Sequence, residues 1–427
     1  MLPHAQVAEL HQRARQALQQ QREAEAVAMW QRIVEIAPGD APAQSGLARW
    51  AMRRGDLSAA ALHFGLVARA EPGQARHWTA LAQVQRQRGD DAAEEAALFE
   101  ALKADPQDLF ALLMRGQLYE RQGRDQAAAH AYIAATIVAP PVDRLSPELR
   151  PLVTHAIEYR LAYQQRLANH VDAALEASLR EESSADTDRF RLSLDIMVGR
   201  KRRYDSQPSR YFMPRLEPIE FFDPALFPWM AAIEAGTDAI RDEFLAVLHD
   251  DSGFTPYVEY GPDQPIEQWA ELNHSLRWSC YHLWRNGQPV PEHVARCPET
   301  MHLLEASPRP DQPGRTPVAM FSLLKPRTRI PPHVGVSNAR LVCHLPLIIP
   351  PRCHFRVGNT TREWVPGRAW VFDDSINHEA VNDSDQLRVI LIWDTWHPHV
   401  TEAERRLITA LSRALNAFGG VDVDYGA

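Results

Sequence analysis

The first 140 residues of the chain repeat with a period of 34 residues. Four markers recur at this period: a glycine, an alanine four positions later, a large residue and a proline; the first unit carries only the last two. The large residues are Trp30, Phe64, Leu98 and Tyr132, the prolines Pro38, Pro72, Pro106 and Pro140, the glycines Gly55, Gly89 and Gly123, and the alanines Ala59, Ala93 and Ala127. A period kept by four markers at once predicts a row of similar structural units.

Each marker has a physical role in a pair of helices. A glycine adopts the left-handed conformation that ends the first helix, and a proline ends the second. The small alanine lets the two helices approach closely, and the large residue fills the space between them. The pattern resembles the tetratricopeptide repeat, whose units bury their apolar faces against neighbours and so form an all-α solenoid. A generic helical bundle is the alternative.

We expect a multidomain protein, because 427 residues exceed the usual size of one domain. Residues 1–182 are predicted to form the solenoid, and residues 183–215 a connecting helix and linker. From residue 254 onward, short runs of β-branched and aromatic residues are interrupted by glycine and proline. Residues 216–427 are therefore predicted to form a double-sheet jelly roll, a cupin-like double-stranded β-helix, with flanking helices.

Composition restricts the partners of the chain. The net charge is −9 and the sequence pI is near 6.1, which does not favour a broad nucleic-acid surface. No run of residues reaches the roughly 18 apolar residues of a spanning helix, and the first residues lack the apolar core of a signal peptide. We expect a cytoplasmic protein with no nucleic-acid partner and no membrane span.

Two histidines and an arginine in the second half of the chain suggest redox chemistry. They are His333, His378 and Arg388. Imidazole is a good ligand for Fe(II), and two imidazoles leave coordination positions open for a chelating cosubstrate and for dioxygen. An arginine on an adjacent strand can hold the far carboxylate of a dicarboxylic acid through two parallel hydrogen bonds.

The surrounding sequence resembles the aspartyl/asparaginyl β-hydroxylase family, over roughly Phe254 to Thr401. The resemblance is carried by PPHVGVSNARLVCHLPL, GRAWVFDDSINHEAVNDS and RVILIWDTWHP. It implies a dioxygenase that uses Fe(II), 2-oxoglutarate and O2, with His333 and His378 as the metal ligands. It also implies that Arg388 holds the 5-carboxylate of 2-oxoglutarate, so that we expect these three residues to be catalytic.

The same resemblance implies further contacts to the cosubstrate. Ser322 is expected beside Arg388 at the 5-carboxylate, and His344 near the other end of 2-oxoglutarate as a hydrogen-bond donor. Alternation along a strand places Arg340, Val342 and His344 on one face. Animal aspartyl hydroxylases of the family carry an arginine at the position of Val342, and Arg340 is the residue expected to compensate for its loss.

Two questions remain open at this level. Many related oxygenases carry a carboxylate two residues after the first histidine, but here that residue is Gly335. A water molecule is the expected replacement, with Asp373 or Asp374 as the alternative. For Arg388, the alternative to a cosubstrate contact is a structural salt bridge to one of these two aspartates.

The resemblance implies hydroxylation at the β carbon of an aspartyl or asparaginyl residue in a peptide or protein, with release of succinate and CO2. The repeat region is expected either to guide that substrate or to extend the catalytic domain rigidly. A hydroxylase of free amino acids or of lipid acyl chains is the alternative within the family. A non-catalytic repeat scaffold is the alternative outside it.

Overall fold

The structure is a computed structural model that describes residues 3–250 and 253–419. The chain divides into two compact units, Met1–Arg200 and Lys201–Ala427. The first unit is helical, and the second combines two antiparallel sheets with helices, so the predicted fold class is confirmed. Among the described residues, no helix has both the length and the apolar character needed to cross a membrane.

The helices of the first unit pack against their neighbours in sequence. They are α1 (Pro3–Gln19), α2 (Glu23–Ile36), α3 (Ala41–Arg53), α4 (Leu57–Ala70), α5 (Ala75–Arg88), α6 (Asp91–Ala104), α7 (Leu109–Arg121), α8 (Asp125–Val138), α9 (Arg150–Arg180) and α10 (Ser184–Met197). Helices α3 to α8 form three pairs that follow the 34-residue period, and the long helix α9 packs on α8.

The sequence markers do what the repeat pattern predicts. The three marker glycines, Gly55, Gly89 and Gly123, have φ angles of +77°, +73° and +68°, and each follows the first helix of its pair. The side chain of Tyr132 is fully buried and occupies the space beside Gly116, where any β-carbon would overlap the tyrosine ring. The repeat therefore specifies both the turns and the close packing of the helices.

The second unit contains the remaining helices and all the strands. The helices are α11 (Met230–Ala235), α12 (Thr237–Asp250), α13 (Pro291–Val294), α14 (Pro298–Leu304) and α15 (Glu402–Gly419). The strands are β1 (Thr255–Pro256), β2 (Trp278–Arg285), β3 (Gln288–Pro289), β4 (Ala319–Leu324), β5 (Thr328–His333), β6 (Arg340–Ile348), β7 (Cys353–Val357), β8 (Thr360–Glu363), β9 (Trp370–Phe372), β10 (His378–Asn382) and β11 (Arg388–Trp396).

These strands form two antiparallel sheets. The larger sheet has the order β1-β2-β4-β11-β6-β9, with β3 paired to β2, and the smaller has the order β5-β10-β7-β8. Helices α11, α12 and α14 contribute to one apolar core together with the outward side chains of the large sheet. A second core lies between the inner faces of the two sheets and contains side chains such as Trp278, Ile330, Phe355, Phe372 and Ile390. The candidate site is built in this second core.

Candidate active site

Two histidines meet where strands β5 and β10 pair. His333 ends β5, His378 begins β10, and the two residues are directly opposite each other in the antiparallel ladder. Their ring centroids are 4.1 Å apart, with an angle of 53° between the planes. Strand pairing therefore brings together the two histidines that the sequence analysis selected.

Both histidine rings are held by the same kind of backbone contact. His333 Nδ1 lies 2.8 Å from the carbonyl oxygen of Pro331, and His378 Nδ1 lies 3.0 Å from that of Ile376. A carbonyl oxygen only accepts, so each Nδ1 carries the proton and each Nε2 keeps a free lone pair. This tautomer is the one that allows Nε2 to ligate a metal.

The protonation state of the two histidine rings also suits metal binding. Burial lowers the pKa of His378 to about 4. Burial, assisted by the neighbouring His378, lowers the pKa of His333 well below its usual range. Both rings are therefore neutral near pH 7, and the neutral imidazole is the form that binds a metal ion.

Gly335, two residues after His333, leaves space for the carboxylate of Asp374. A β-carbon at Gly335 would overlap the carboxylate of Asp374. Asp374 Oδ2 accepts a hydrogen bond from Arg340 Nη2 at 3.0 Å, whereas Oδ1 is buried with no partner in the described part of the chain. Within that part, no group of three or more His, Cys, Asp or Glu side chains is arranged to hold a metal ion.

The neighbouring Asp373 has a different role. Its Oδ1 accepts hydrogen bonds from the backbone amide and hydroxyl of Ser375, at 2.9 and 2.6 Å. Its Oδ2 accepts from the Ser206 hydroxyl at 2.7 Å. Asp373 thus fixes the turn that leads into His378.

Arg388 is a buried cation at the start of β11, with 1% of its surface exposed. Its Nη1 donates to the carbonyl oxygen of Ser322 at 3.2 Å and lies 3.4 Å from the Ser322 hydroxyl. Its guanidinium carbon is 5.1 Å from the centre of the Trp364 ring, and its Nε has no hydrogen-bond partner among the described residues. Burial lowers the pKa of Arg388 to about 10, so the group stays charged at neutral pH.

The salt bridge considered as an alternative for Arg388 is not formed. Asp374 pairs with Arg340, and Asp373 is engaged by serine residues. No carboxylate among the described residues makes an ion pair with Arg388. The interpretation of Arg388 as half of a structural salt bridge is therefore wrong for this structure.

The predicted face of strand β6 is confirmed. Arg340, Val342 and His344 of β6 and Ser322 of β4 line the same cavity as the two histidines. His344 Nδ1 accepts a hydrogen bond from Trp364 Nε1 at 3.4 Å, which leaves Nε2 as the protonated, donating nitrogen. Burial, together with the charge of Arg388, lowers the pKa of His344 well below its usual range.

Trp364 and Asp394 are residues of this cavity that were not predicted from the sequence. Trp364 contacts both Arg388 and His344, but nothing in its local sequence separates it from an ordinary core tryptophan. Asp394 lies on the same face of β11 as Arg388 and also lines the cavity. Its position six residues after Arg388 was a usable signal, because residues at even spacing along a strand share a face.

We expect Gly335→Ala to damage the cavity without removing any of its polar groups. The new methyl group would displace the Asp374 carboxylate and break its pair with Arg340, and overpacking of this kind costs about 1–3 kcal/mol. Thermal and urea unfolding would measure the loss. Gly261→Ala is the control, because its added carbon would meet only side chains at the surface, chiefly that of Asp263. Equal stability of the two variants would contradict this description of the site.

The sequence profile of a family described as aspartyl/asparaginyl beta-hydroxylase matches residues 234–398. The aspartyl/asparaginyl beta-hydroxylase of Homo sapiens is 35% identical over 182 residues, which are 42% of this chain and 22% of that protein. The ornithine lipid ester-linked acyl 2-hydroxylase of Rhizobium tropici is 33% identical over 180 residues, which are 42% of this chain and 60% of that protein. Aspartate beta-hydroxylase domain-containing protein 2 of Homo sapiens is 36% identical over 207 residues, covering 47% of this chain and 54% of that protein.

Among solved structures, the MamA protein matches 38% of this chain and 94% of its own length, at 16% identity and with a TM-score of 0.31. The chain spans less than two thirds of the length of each of the three curated relatives. The match at residues 234–398 falls on the unit that contains the histidine pair and Arg388. Residues 234–398 of the chain thus match the aspartyl/asparaginyl β-hydroxylase family, and they follow a helical unit with a 34-residue repeat in the sequence.

Proposed function

We propose that this protein is an Fe(II)- and 2-oxoglutarate-dependent hydroxylase of aspartyl or asparaginyl residues in a peptide or protein. The observation that carries the proposal is the buried Arg388 guanidinium, which has no carboxylate partner among the described residues and lines one cavity with two neutral histidines. The relatives named as β-hydroxylases support the choice of reaction.

A buried cation is costly unless an anion meets it. Arg388 has two hydrogen bonds to Ser322, but these satisfy donors without neutralising the charge. A carboxylate at this end of the cavity would pair with the guanidinium and accept from the Ser322 hydroxyl. The 5-carboxylate of 2-oxoglutarate fits this requirement, and its other end would then point toward the histidine pair.

The histidine pair fits an iron ion. Two imidazoles with free Nε2 lone pairs, in the neutral form, are suitable donors for Fe(II), and they leave positions for a chelating cosubstrate and dioxygen. His333 and His378 would hold the metal. When bound, iron with 2-oxoglutarate and dioxygen supplies the oxidising chemistry that replaces a C–H hydrogen of the substrate by hydroxyl, while 2-oxoglutarate becomes succinate and CO2.

The other residues of the cavity orient the reactants and exclude water. The carbonyl oxygens of Pro331 and Ile376 fix the direction in which the two Nε2 atoms point. His344 Nε2 offers a donor to the cosubstrate, because Trp364 occupies the other ring nitrogen. Phe355 and Phe372 contact the His344 ring, with centroids 4.9 and 4.8 Å away, and form an apolar wall. An apolar wall that excludes water strengthens the electrostatic contacts within the cavity.

The names of the relatives indicate more than one class of substrate. One relative is named as an acyl 2-hydroxylase of a lipid, so a lipid acyl chain is the second candidate. We propose the peptide substrate first, and we propose that the helical unit presents a surface for the same protein partner. Mass spectrometry of candidate peptides and lipids for one added oxygen atom separates these possibilities.

The histidine assignment is tested by removing each ring. We expect the purified protein to bind Fe(II) and to form succinate from 2-oxoglutarate, at least slowly without substrate. His333→Ala and His378→Ala should each abolish succinate formation and lower Fe(II) affinity by at least about 10²-fold, since even changes around a ligand cost 10–100-fold. Anaerobic equilibrium dialysis and a succinate assay measure both effects.

The matched control is His354→Ala. His354 lies on β7 of the same small sheet and does not line the cavity. It should keep wild-type metal affinity and turnover. A cavity variant that still formed succinate at the wild-type rate would remove that histidine from the ligand set.

Arg388→Ala should raise the KM for 2-oxoglutarate by about 10²-fold, because the 5-carboxylate would be buried without its cation. Arg388→Lys should recover part of this loss, since one ammonium group cannot make two parallel hydrogen bonds. Arg329→Ala is the control, because Arg329 is exposed and pairs with Glu379 outside the cavity. A fall in melting temperature with an unchanged KM would assign Arg388 a structural role only.

A further inference from the structure

The inner face of strand β11 carries opposite charges at its two ends. Arg388, Ile390, Ile392 and Asp394 alternate along the strand and all line the cavity. Six residues of strand separate the two charged groups by roughly 20 Å. If the cation end receives the cosubstrate, the carboxylate end is left for a different molecule.

Asp394 is buried, with 3% of its surface exposed, and only one of its two carboxylate oxygens accepts a hydrogen bond from the described residues. Its Oδ1 accepts a hydrogen bond from the backbone amide of Val318 at 2.9 Å. Its Oδ2 is buried and has no hydrogen-bond partner among the described residues. Unsatisfied polar atoms in a cavity are uncommon in folded proteins and indicate a place where another molecule supplies the partner.

The neighbouring strand supplies Asp394 with one buried cation, Arg340, which it shares with Asp374. The residue directly opposite it in the β11–β6 ladder is Val342. Arg340 donates to Asp374 at 3.0 Å and also interacts with the charge of Asp394. One guanidinium therefore serves the two carboxylates Asp374 and Asp394. Arg210 and Arg315 also line the cavity. Arg210 is exposed and Arg315 is half-buried, so solvent weakens the effect of both charges.

We propose that Asp394 accepts a hydrogen bond from the substrate, and that the cavity therefore takes an asparaginyl side chain in preference to an aspartyl one. This inference rests on the proposed hydroxylase function and specifies its substrate class. A carboxamide has two N–H donors for Asp394 Oδ2, whereas a carboxylate has none. A second carboxylate would also add like charge beside Asp394 and Asp374 in a buried space.

The test uses the full-length protein with Fe(II) and saturating 2-oxoglutarate, with dioxygen excluded. The probes are two capped pentapeptides with alanine at every position except the centre, which is asparagine in one and aspartate in the other. We expect calorimetry to show about 10²-fold tighter binding of the asparagine peptide, because buried like charges and unpaired polar groups are penalised to this degree. Asp238→Asn, which removes an exposed carboxylate on α12, should leave this ratio unchanged.

Two cavity variants assign the preference to Asp394. Asp394→Asn keeps an Oδ1 acceptor for the Val318 amide and should reduce the ratio to below about 10-fold, because the neutral side chain tolerates a carboxylate. Val342→Arg places a cation opposite Asp394 and should remove or reverse the preference. If Asp394 only supports the strand, Asp394→Asn will lower the melting temperature and leave the ratio as it was.

Equal affinity for the two peptides, tighter binding of the aspartate peptide, or no binding of either would overturn the inference. So would an unchanged ratio in Asp394→Asn. Succinate formation without peptide, measured on the same preparation, keeps this result apart from the proposed function. If succinate forms but the preference is absent, the substrate assignment alone fails; if the preference is present but no succinate forms, the hydroxylase proposal fails.

Discussion

The guanidinium of Arg388 is the group on which the interpretation of the second unit depends. It is buried between two sheets, its donors are only partly used by Ser322, and the face of Trp364 covers it. Burying an uncompensated charge costs several kcal/mol, so we expect an anion to bind at a position of this kind. A dicarboxylate placed against Arg388 would give each of the other groups a role. The neutral histidines would bind the metal, His344 would donate to the dicarboxylate, and the apolar walls would exclude water.

Antiparallel pairing explains how distant residues form one site. The ladder between β5 and β10 sets His333 opposite His378, and the ladder between β11 and β4 sets Ile390 opposite Ser322. Each strand points every second side chain into the cavity, so the charged groups occur at fixed levels along it. The cation lies at one end of β11 and Asp394 at the other, which gives the cavity two ends of different charge.

The parts of this structure that follow local rules were predictable from the sequence. The 34-residue period predicted the helix pairs, and the marker glycines adopt the left-handed conformation that the pattern requires. Alternation predicted the inward face of β6. The pair between Arg340 and Asp374, the contact of Asp374 with Gly335 and the half-satisfied Asp394 were not predicted. They depend on which strands are neighbours and in what register, and no local pattern contains that information.

The role of Arg388 is tested most directly by comparing 2-oxoglutarate with 2-oxopentanoate, which has the same carbon chain but lacks the far carboxylate. Anaerobic titration of the Fe(II) protein should show about 10²-fold tighter binding of 2-oxoglutarate, because only this ligand brings an anion to Arg388. In Arg388→Ala the two ligands should bind with affinities that differ by less than about 10-fold, since the partner of the carboxylate is gone. An equal preference for 2-oxoglutarate in both proteins would contradict a pairing of Arg388 with the far carboxylate.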